Sequence, residues 1–382
     1  MSRVLLVQPS LQPPGGANAV AAWFLQALVA SHHVTTLTWQ PVDVGPINRF
    51  FGTSLRPSDF DTIVVPRSWT AIPDGLPVPA SLLKSSLLMR YTRRVSDAHD
   101  VIVGVDNEAD YGRRGIQYIH HPTYLRPRPE ADMRWYHRPR SALGLYYALA
   151  DRVSGFSLER LKANVSLANS DWTAARVRAL LGIDVRTLYP PVADPAPAPP
   201  WSERARRFLA VGRISPEKEL ERVIRIVAGV RRHAPGVTLT IVGTPDRHAG
   251  RYGARVRREA AAHGPWIDFR HDVAHDELRR LMAASRYGIH GMREEHFGMA
   301  PAEMARAGML VWVPDGGGQV EITGDPALAY ATEEEAIDRI AATIAAPARE
   351  RELSAAIAAR TARLSPRNFM EQVRREVEEF RE

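Results

Sequence analysis

Apolar residues along this chain fall into two alternating patterns: short unbroken runs, and longer stretches where they recur at three- and four-residue spacing. The first pattern reads as buried strand and the second as amphipathic helix. Strands are predicted over residues 3–8, 33–38, 61–65, 101–105, 116–120, 165–168 and 185–188, with helices over 17–30, 141–162 and 172–181. Such alternation implies parallel βαβ units, so the first half reads as a doubly wound α/β domain. Residues 190–200 are too rich in proline for a helix or central strand and read as a linker. The alternation then restarts, with strands over 207–211, 237–242, 267–270, 287–290, 309–313 and 327–331 and helices over 220–233, 251–263, 275–284 and 300–307. Three helical stretches close the chain, the last over 366–380.

Length agrees with this division, since 382 residues exceed what one hydrophobic core usually organises. The expected domains are 1–190, 191–365, and a C-terminal helix 366–382 packing back on the first. Ligands in such sheets sit beyond the C-terminal strand ends, so two facing domains would enclose a cleft. The absence of cysteine excludes disulfides, thiol nucleophiles and Cys-ligated zinc. Neither a signal-like h-region nor an apolar span of membrane length is present, and a cytoplasmic location is expected. The formal charge of +7 lies mostly in residues 1–200. It can attract anionic lipid, nucleic acid or a phosphorylated substrate, or it can be a solvated arginine-rich surface. A basic amphipathic helix over 84–95, with Arg90, Arg93 and Arg94, suggests peripheral contact with an anionic membrane or an ordinary surface helix.

The most informative chemistry lies at Glu295 and Glu303, eight residues apart around a loop-to-helix turn. Pro301 falls in the first turn of that helix and Gly308 stops it. Acids at a helix start can simply answer the macrodipole. Here they flank a helix N-terminus whose N–H groups suit a phosphate, which fits gripping hydroxyls on either side of a diphosphate. Arg213 and Lys218, after the first strand of the second domain, are placed to meet one anion. Gly15 and Gly16 join the first strand to the first helix, where glycine lets backbone approach a phosphate or sugar, or merely turns the chain. A dinucleotide site is disfavoured, because the G-x-G-x-x-G spacing is missing and the second strand ends in Trp39-Gln40 without an acid. His120 and His121 stand at a strand's C-terminal end, facing a ligand edge. His271 and His275 lack a third clustered ligand, so no metal site is expected. Residues 316–318 read as a flexible glycine turn that either approaches a diphosphate or turns the chain.

Together these segments resemble the GT-B glycosyltransferases of family 4. The resemblance rests on Gly15-Gly16, Gly212-Arg213 with Lys218, the Glu295/Glu303 pair around Phe297-Gly298, Gly317-Gly318 with Glu321, and the closing helix 369–379. Within the family, residues 118–123, 168–173 and 189–191 look most like the lipid-linked-oligosaccharide α-1,2-mannosyltransferases. The resemblance implies two Rossmann-like domains, the first binding acceptor and the second donor, and a metal-independent, retaining transfer of a hexosyl group from GDP-mannose or a UDP-sugar. It also implies roles. Arg213 and Lys218 would neutralise the diphosphate, Glu303 would take the ribose diol, and Glu295 would hold hydroxyls of the transferred sugar. Backbone N–H groups of Phe297, Gly298 and Met299 would meet sugar or phosphate oxygens, His120 would contact the sugar, and Gly15-Gly16 would lie under the phosphates. No cofactor beyond the donor substrate is expected; the acceptor would be a sugar, lipid-linked or small molecule. Three departures bear on the donor: Glu219 where a glycine commonly follows the lysine, Gly291-Met292-Arg293 before the first Glu, and Arg270-His271-Asp272 in a loop that usually bears glycine. The competing readings are a nucleotide-sugar epimerase or phosphorylase on the same architecture, and a basic nucleic-acid-binding module. The last lacks an RNA motif or helix-turn-helix signature, and no nucleic-acid partner is expected.

Overall fold

In the computed structural model, which describes residues 1–69, 71–74, 80–122, 140–244 and 250–382, the chain divides into two units. Met1–Pro191 together with Arg367–Glu382 forms the first, and Val192–Pro366 the second. Thr123, the last residue of the 118–123 motif, lies outside the described residues.

The first unit runs β1 (Arg3–Val7), α1 (Gly16–Leu28), β2 (His33–Thr38), α2 (Val44–Phe51), β3 (Phe60–Val64), α3 (Ala71–Asp74), α4 (Ser81–Val95), β4 (Val101–Gly104), β5 (Ile116–Ile119), α5 (Arg140–Ser154), α6 (Leu158–Lys162), β6 (Val165–Ala168), α7 (Asp171–Leu181) and β7 (Arg186–Thr187). All seven strands are parallel, in the order β3-β2-β1-β4-β5-β6-β7. Successive strand residues point to opposite faces, so β1 serves two cores. Val4 and Leu6 pack with Phe24 and Leu25 of α1 on one face, while Leu5 and Val7 pack with Leu88 and Met89 of α4 and with Tyr111 on the other.

The second unit runs β8 (Ala205–Val211), α8 (Leu220–His233), β9 (Thr238–Val242), α9 (Gly250–His263), β10 (Ile267–Arg270), α10 (His275–Ala283), β11 (Ser285–Ile289), α11 (Met299–Arg306), β12 (Leu310–Pro314), α12 (Val320–Thr323), β13 (Ala329–Tyr330), α13 (Glu333–Ala345) and α14 (Pro347–Thr361). Its parallel strands follow the order β10-β9-β8-β11-β12-β13. In each sheet the strand order reverses once, between β1 and β4 and between β8 and β11. Such reversals open a crevice at the C-terminal strand ends.

A last helix, α15 (Pro366–Arg381), returns to the first unit as expected. Its stripe of Phe369, Val373 and Val377 joins the α1-side core. There the Phe24 ring meets Phe369 edge-on at 5.2 Å and Tyr118 at 5.4 Å. Burying each such side chain adds roughly 1.5–3 kcal/mol. Arg186 pairs with Glu376 and Glu379, tying β7 to the same helix.

Three expectations change. The helix expected over 141–162 breaks, because Gly155 turns left-handed (φ 57°) and Ser157 then caps α6, its hydroxyl accepting from Arg160 N–H at 3.3 Å. Helix α2 was hidden by Gly45-Pro46; Asp43 caps it, and a proline in a first turn displaces no helical hydrogen bond. The arginines of α4 have partners within the unit: Arg90 donates to the Val153 carbonyl, Arg93 to buried Asp110, and Arg94 lies 4.6 Å over the Trp69 ring, while Arg90 and Arg94 stay exposed. Among the described residues no helix is long and apolar enough to cross a membrane. The proline segment has no regular structure but is pinned within the second unit: Val192 N–H donates to Leu364 O at 2.8 Å, and Asp194 pairs with Arg306 at 2.5 Å.

Candidate active site

In the second unit, the ends of β8 and β11 deliver charged side chains to one place. Beyond β8, residues 212–218 turn back, and the Lys218 ammonium donates to Glu295 Oε2 at 2.5 Å and lies 3.4 Å from the Met292 sulfur. His290, the residue after β11, meets the same carboxylate oxygen at 3.2 Å. The histidine is buried, and burial lowers its pKa, so the ring is neutral and Nε2 must carry the donated hydrogen. Burial alone would raise the Glu295 pKa, but the His290 hydrogen bond and the Lys218 charge hold it well below the usual carboxylate range. Glu295 is therefore an anion with one oxygen doubly bound; among the described residues its Oε1 has no hydrogen-bond partner.

The backbone of Glu295 is fixed as firmly as its side chain. It forms a parallel bridge with Gly317, and Gly318 N–H donates to its carbonyl at 2.8 Å. Gln319, fully buried, donates to the carbonyls of Met292 and Gly316 at 2.7 and 2.9 Å. Residues 316–318 are thus a brace under the acidic loop, in place of the flexible turn expected. Gly317 is left-handed (φ 83°), and a Cβ there would lie 2.7 Å from the Glu295 nitrogen.

Gly298, also left-handed (φ 101°), starts α11, and no side chain caps that helix. Phe297 is buried just before it and Met299 is its first residue. The first-turn N–H groups of a helix have no intrahelical acceptor, so this end can receive an anion. Glu303, on the second turn, lines a separate cavity with Ala193–Ala196, His275, Leu278, Met282 and Ala307. Its carboxyl has no partner among the described residues, and burial pushes its pKa up to about 7.

Arg213 lines the same small pocket as Lys218 and His290, yet its guanidinium is largely exposed and donates to Glu217 at 3.1 Å. The expected convergence with Lys218 is thus met in position but not in side-chain direction. In the first unit, Gly15 (φ 141°) precedes α1 and Gly16 opens it, beside Asn18, whose amide donates to Gln12 O at 2.7 Å. His120 follows β5, and its Nε2–H donates to Val105 O at 2.9 Å. Asn107 holds the loop, its side-chain oxygen accepting from the backbone N–H groups of His120 and His121 at 2.9 and 3.0 Å.

Sequence reasoning overlooked His290 and Asn107. A histidine immediately after a strand and before Gly291 was the available signal for the first. For the second, nothing in the sequence says that residue 107 lies beside residue 120.

The raised Glu303 pKa has a measurable consequence. The unfolded chain releases this proton near 4.5 and the folded protein near 7, so the folded state binds more protons between those values and this group's contribution to stability falls as pH rises through that window. Glu303→Gln is expected to raise the melting midpoint more at pH 8 than at pH 5. Equal shifts at both values would refute the assigned environment.

Comparison with known proteins adds to this geometry. Residues 196–363 match the family Glycosyl transferases group 1. The chain is 26% identical over 269 residues to GDP-Man:Man(3)GlcNAc(2)-PP-Dol alpha-1,2-mannosyltransferase of Neurospora crassa, covering 56% of this chain and 47% of that protein. The chain thus spans about half the length of that relative. Among solved structures, sucrose-phosphate synthase from Thermosynechococcus elongatus superposes with a TM-score of 0.70 at 17% identity, over 100% of this chain and 99% of that one. Anabaena HepE in complex with UDP-glucose gives 0.67 at 15% identity, over 99% and 100%. The fold is GT-B, two Rossmann-like units, as expected from the sequence.

Proposed function

We propose that this chain, whose residues 196–363 match the group 1 glycosyl transferases, moves a hexosyl group from a nucleotide-diphosphate sugar to an acceptor hydroxyl with retention of configuration. The observation that carries this reading is the Lys218–Glu295–His290 cluster set against the uncapped N-terminus of α11. It pairs a cation with an anion that keeps one oxygen for ligand hydroxyls, next to backbone donors suited to a phosphate.

In this reading Lys218 meets the donor's diphosphate and Arg213 swings from Glu217 to join it. The bond from the anomeric carbon to the phosphate oxygen breaks, and its electron pair goes to that oxygen, where fixed cations stabilise the developing charge. The acceptor oxygen attacks from the face the leaving group vacates, and its proton passes to a donor phosphate oxygen. Glu295 Oε1 holds hydroxyls of the moving sugar. Glu303 accepts from the ribose diol, with the apolar wall of Leu278, Met282 and Ala307 beside the nucleoside.

The name of the Neurospora relative supports GDP-mannose as donor, and the UDP-glucose bound to HepE supports a UDP-sugar. Both present the same ribose and diphosphate, so the test is a thermal-shift panel of GDP, UDP, ADP and dTDP. One nucleotide is expected to raise the midpoint at concentrations that leave Glu303→Ala unmoved, following the mass-action dependence of ligand stabilisation. If none stabilises the protein, or the variant responds equally, the reading fails. Turnover of the preferred nucleotide's sugar without acceptor, or only with inorganic phosphate, would instead indicate an epimerase or a phosphorylase.

A further inference from the structure

The first unit holds a pocket that the donor chemistry leaves unused. It lies where the strand order reverses between β1 and β4, beyond Val7 and Gly104 at the strand ends. Ser85, Leu88 and Met89 of α4 line one side, and Asp106 and Tyr111 of the loop after β4 the other. We propose that this pocket is the acceptor subsite and that it takes an uncharged sugar ring through Asp106, Tyr111 and Ser85. The proposal rests on the glycosyltransferase reading and adds the class of acceptor.

Two polar groups there lack the partners that buried polar groups normally have. The Tyr111 side chain is buried, 2% exposed, and its hydroxyl has no hydrogen-bond partner among the described residues. That hydroxyl sits over Gly104, where any side chain would collide with it. The Asp106 carboxyl, half-buried, has no hydrogen bond or ion pair among the described residues, and burial pushes its pKa up to about 6. Thr92, which also borders the pocket, is already spent, its hydroxyl donating to Leu88 O at 2.8 Å.

Charge selects the ligand. Among the described residues no lysine or arginine lines the pocket, and the Asp106 and Glu108 charges both act on Tyr111, so a phosphate is repelled. A carboxylate instead accepts from two hydroxyls, Tyr111 and Ser85 both donate and accept, and Val7, Leu88 and Met89 offer apolar surface to the C–H face of a ring. A pyranose carries all of these complements and no charge.

The test is ligand-observed NMR titration of the full chain with methyl α-D-mannopyranoside and methyl α-D-glucopyranoside, beside mannose 6-phosphate and glucose 6-phosphate. At least one neutral glycoside is expected to bind and the phosphates to bind far more weakly. Asp106→Asn is expected to raise the dissociation constant about tenfold or more, as for a lost hydrogen bond to a charged group. Tyr111→Phe should raise it severalfold, and Ser85→Leu, which fills the mouth from α4, should abolish binding. Nucleotide-induced thermal shifts should stay at the wild-type value in all three, confirming that each variant is folded. The proposal is overturned if neither glycoside binds the wild type, if the three variants bind as the wild type does, or if the phosphorylated sugars bind equally well. A wild type that binds a glycoside through Asp106 but responds to no nucleotide would uphold the pocket as a sugar site while refuting the donor reading.

Discussion

Lys218→Met is expected to lower the turnover of sugar transfer by about 10²–10³-fold, the effect of removing one preorganised group that stabilises developing charge. Methionine keeps the apolar stem over Gly212, where an added Cβ would lie 3.7 Å from Lys218 Cε, and removes only the ammonium. His290 still donates to Glu295, so the acidic loop keeps one of its two side-chain anchors and the melting midpoint should move by a few degrees at most. The measurement is nucleotide release under saturating donor and acceptor, with kcat separated from KM. A turnover within threefold of wild type would show that Lys218 merely anchors Glu295.

Gly317→Ala is expected to cost both stability and activity. A Cβ there approaches the nitrogen and carbonyl carbon of Glu295 at 2.7 and 3.0 Å, and the left-handed backbone alone disfavours any side chain by roughly 1–2 kcal/mol. The collision can be relieved only by shifting residue 295, so the carboxylate leaves its place against Lys218 and His290. Gly182→Ala is the control, since Gly182 is also left-handed (φ 64°) but a Cβ added to it would meet nothing within 4 Å. Both variants should melt earlier, and only the residue 317 variant should lose transfer activity. Equal activity in the two would mean that the brace does not position Glu295.

Strand and helix identities were legible because buried parallel strands write themselves as continuous apolar runs. Val4–Val7 could be assigned to a strand without knowing which side chain faces which helix. The Glu295/Glu303 spacing was legible for the same local reason. What escaped was contact between distant segments. Lys218 reaches Glu295, 77 residues on, only because β11 lies beside β8, and Arg213 turns to Glu217 four residues on, a local competition that spacing alone does not resolve. The departures at Glu219 and Asp272 carry a physical meaning that spacing left open. Both residues are left-handed, with φ 44° and 51°, the backbone state in which glycine is least strained. Glu219 holds that state while its carboxylate pairs with Arg293 at 3.1 Å; the Asp272 side chain reaches Thr244 at 3.4 Å.

Because α15 belongs to the first unit while the segment before it belongs to the second, the polypeptide passes from one unit to the other twice. Cutting after Pro191 would therefore strip Phe369, Val373 and Val377 from a core otherwise complete and leave Phe24 and Arg186 facing water. Anyone wishing to exchange the second unit between related proteins must splice at two joints, carrying residues 367–382 along with the amino-terminal portion.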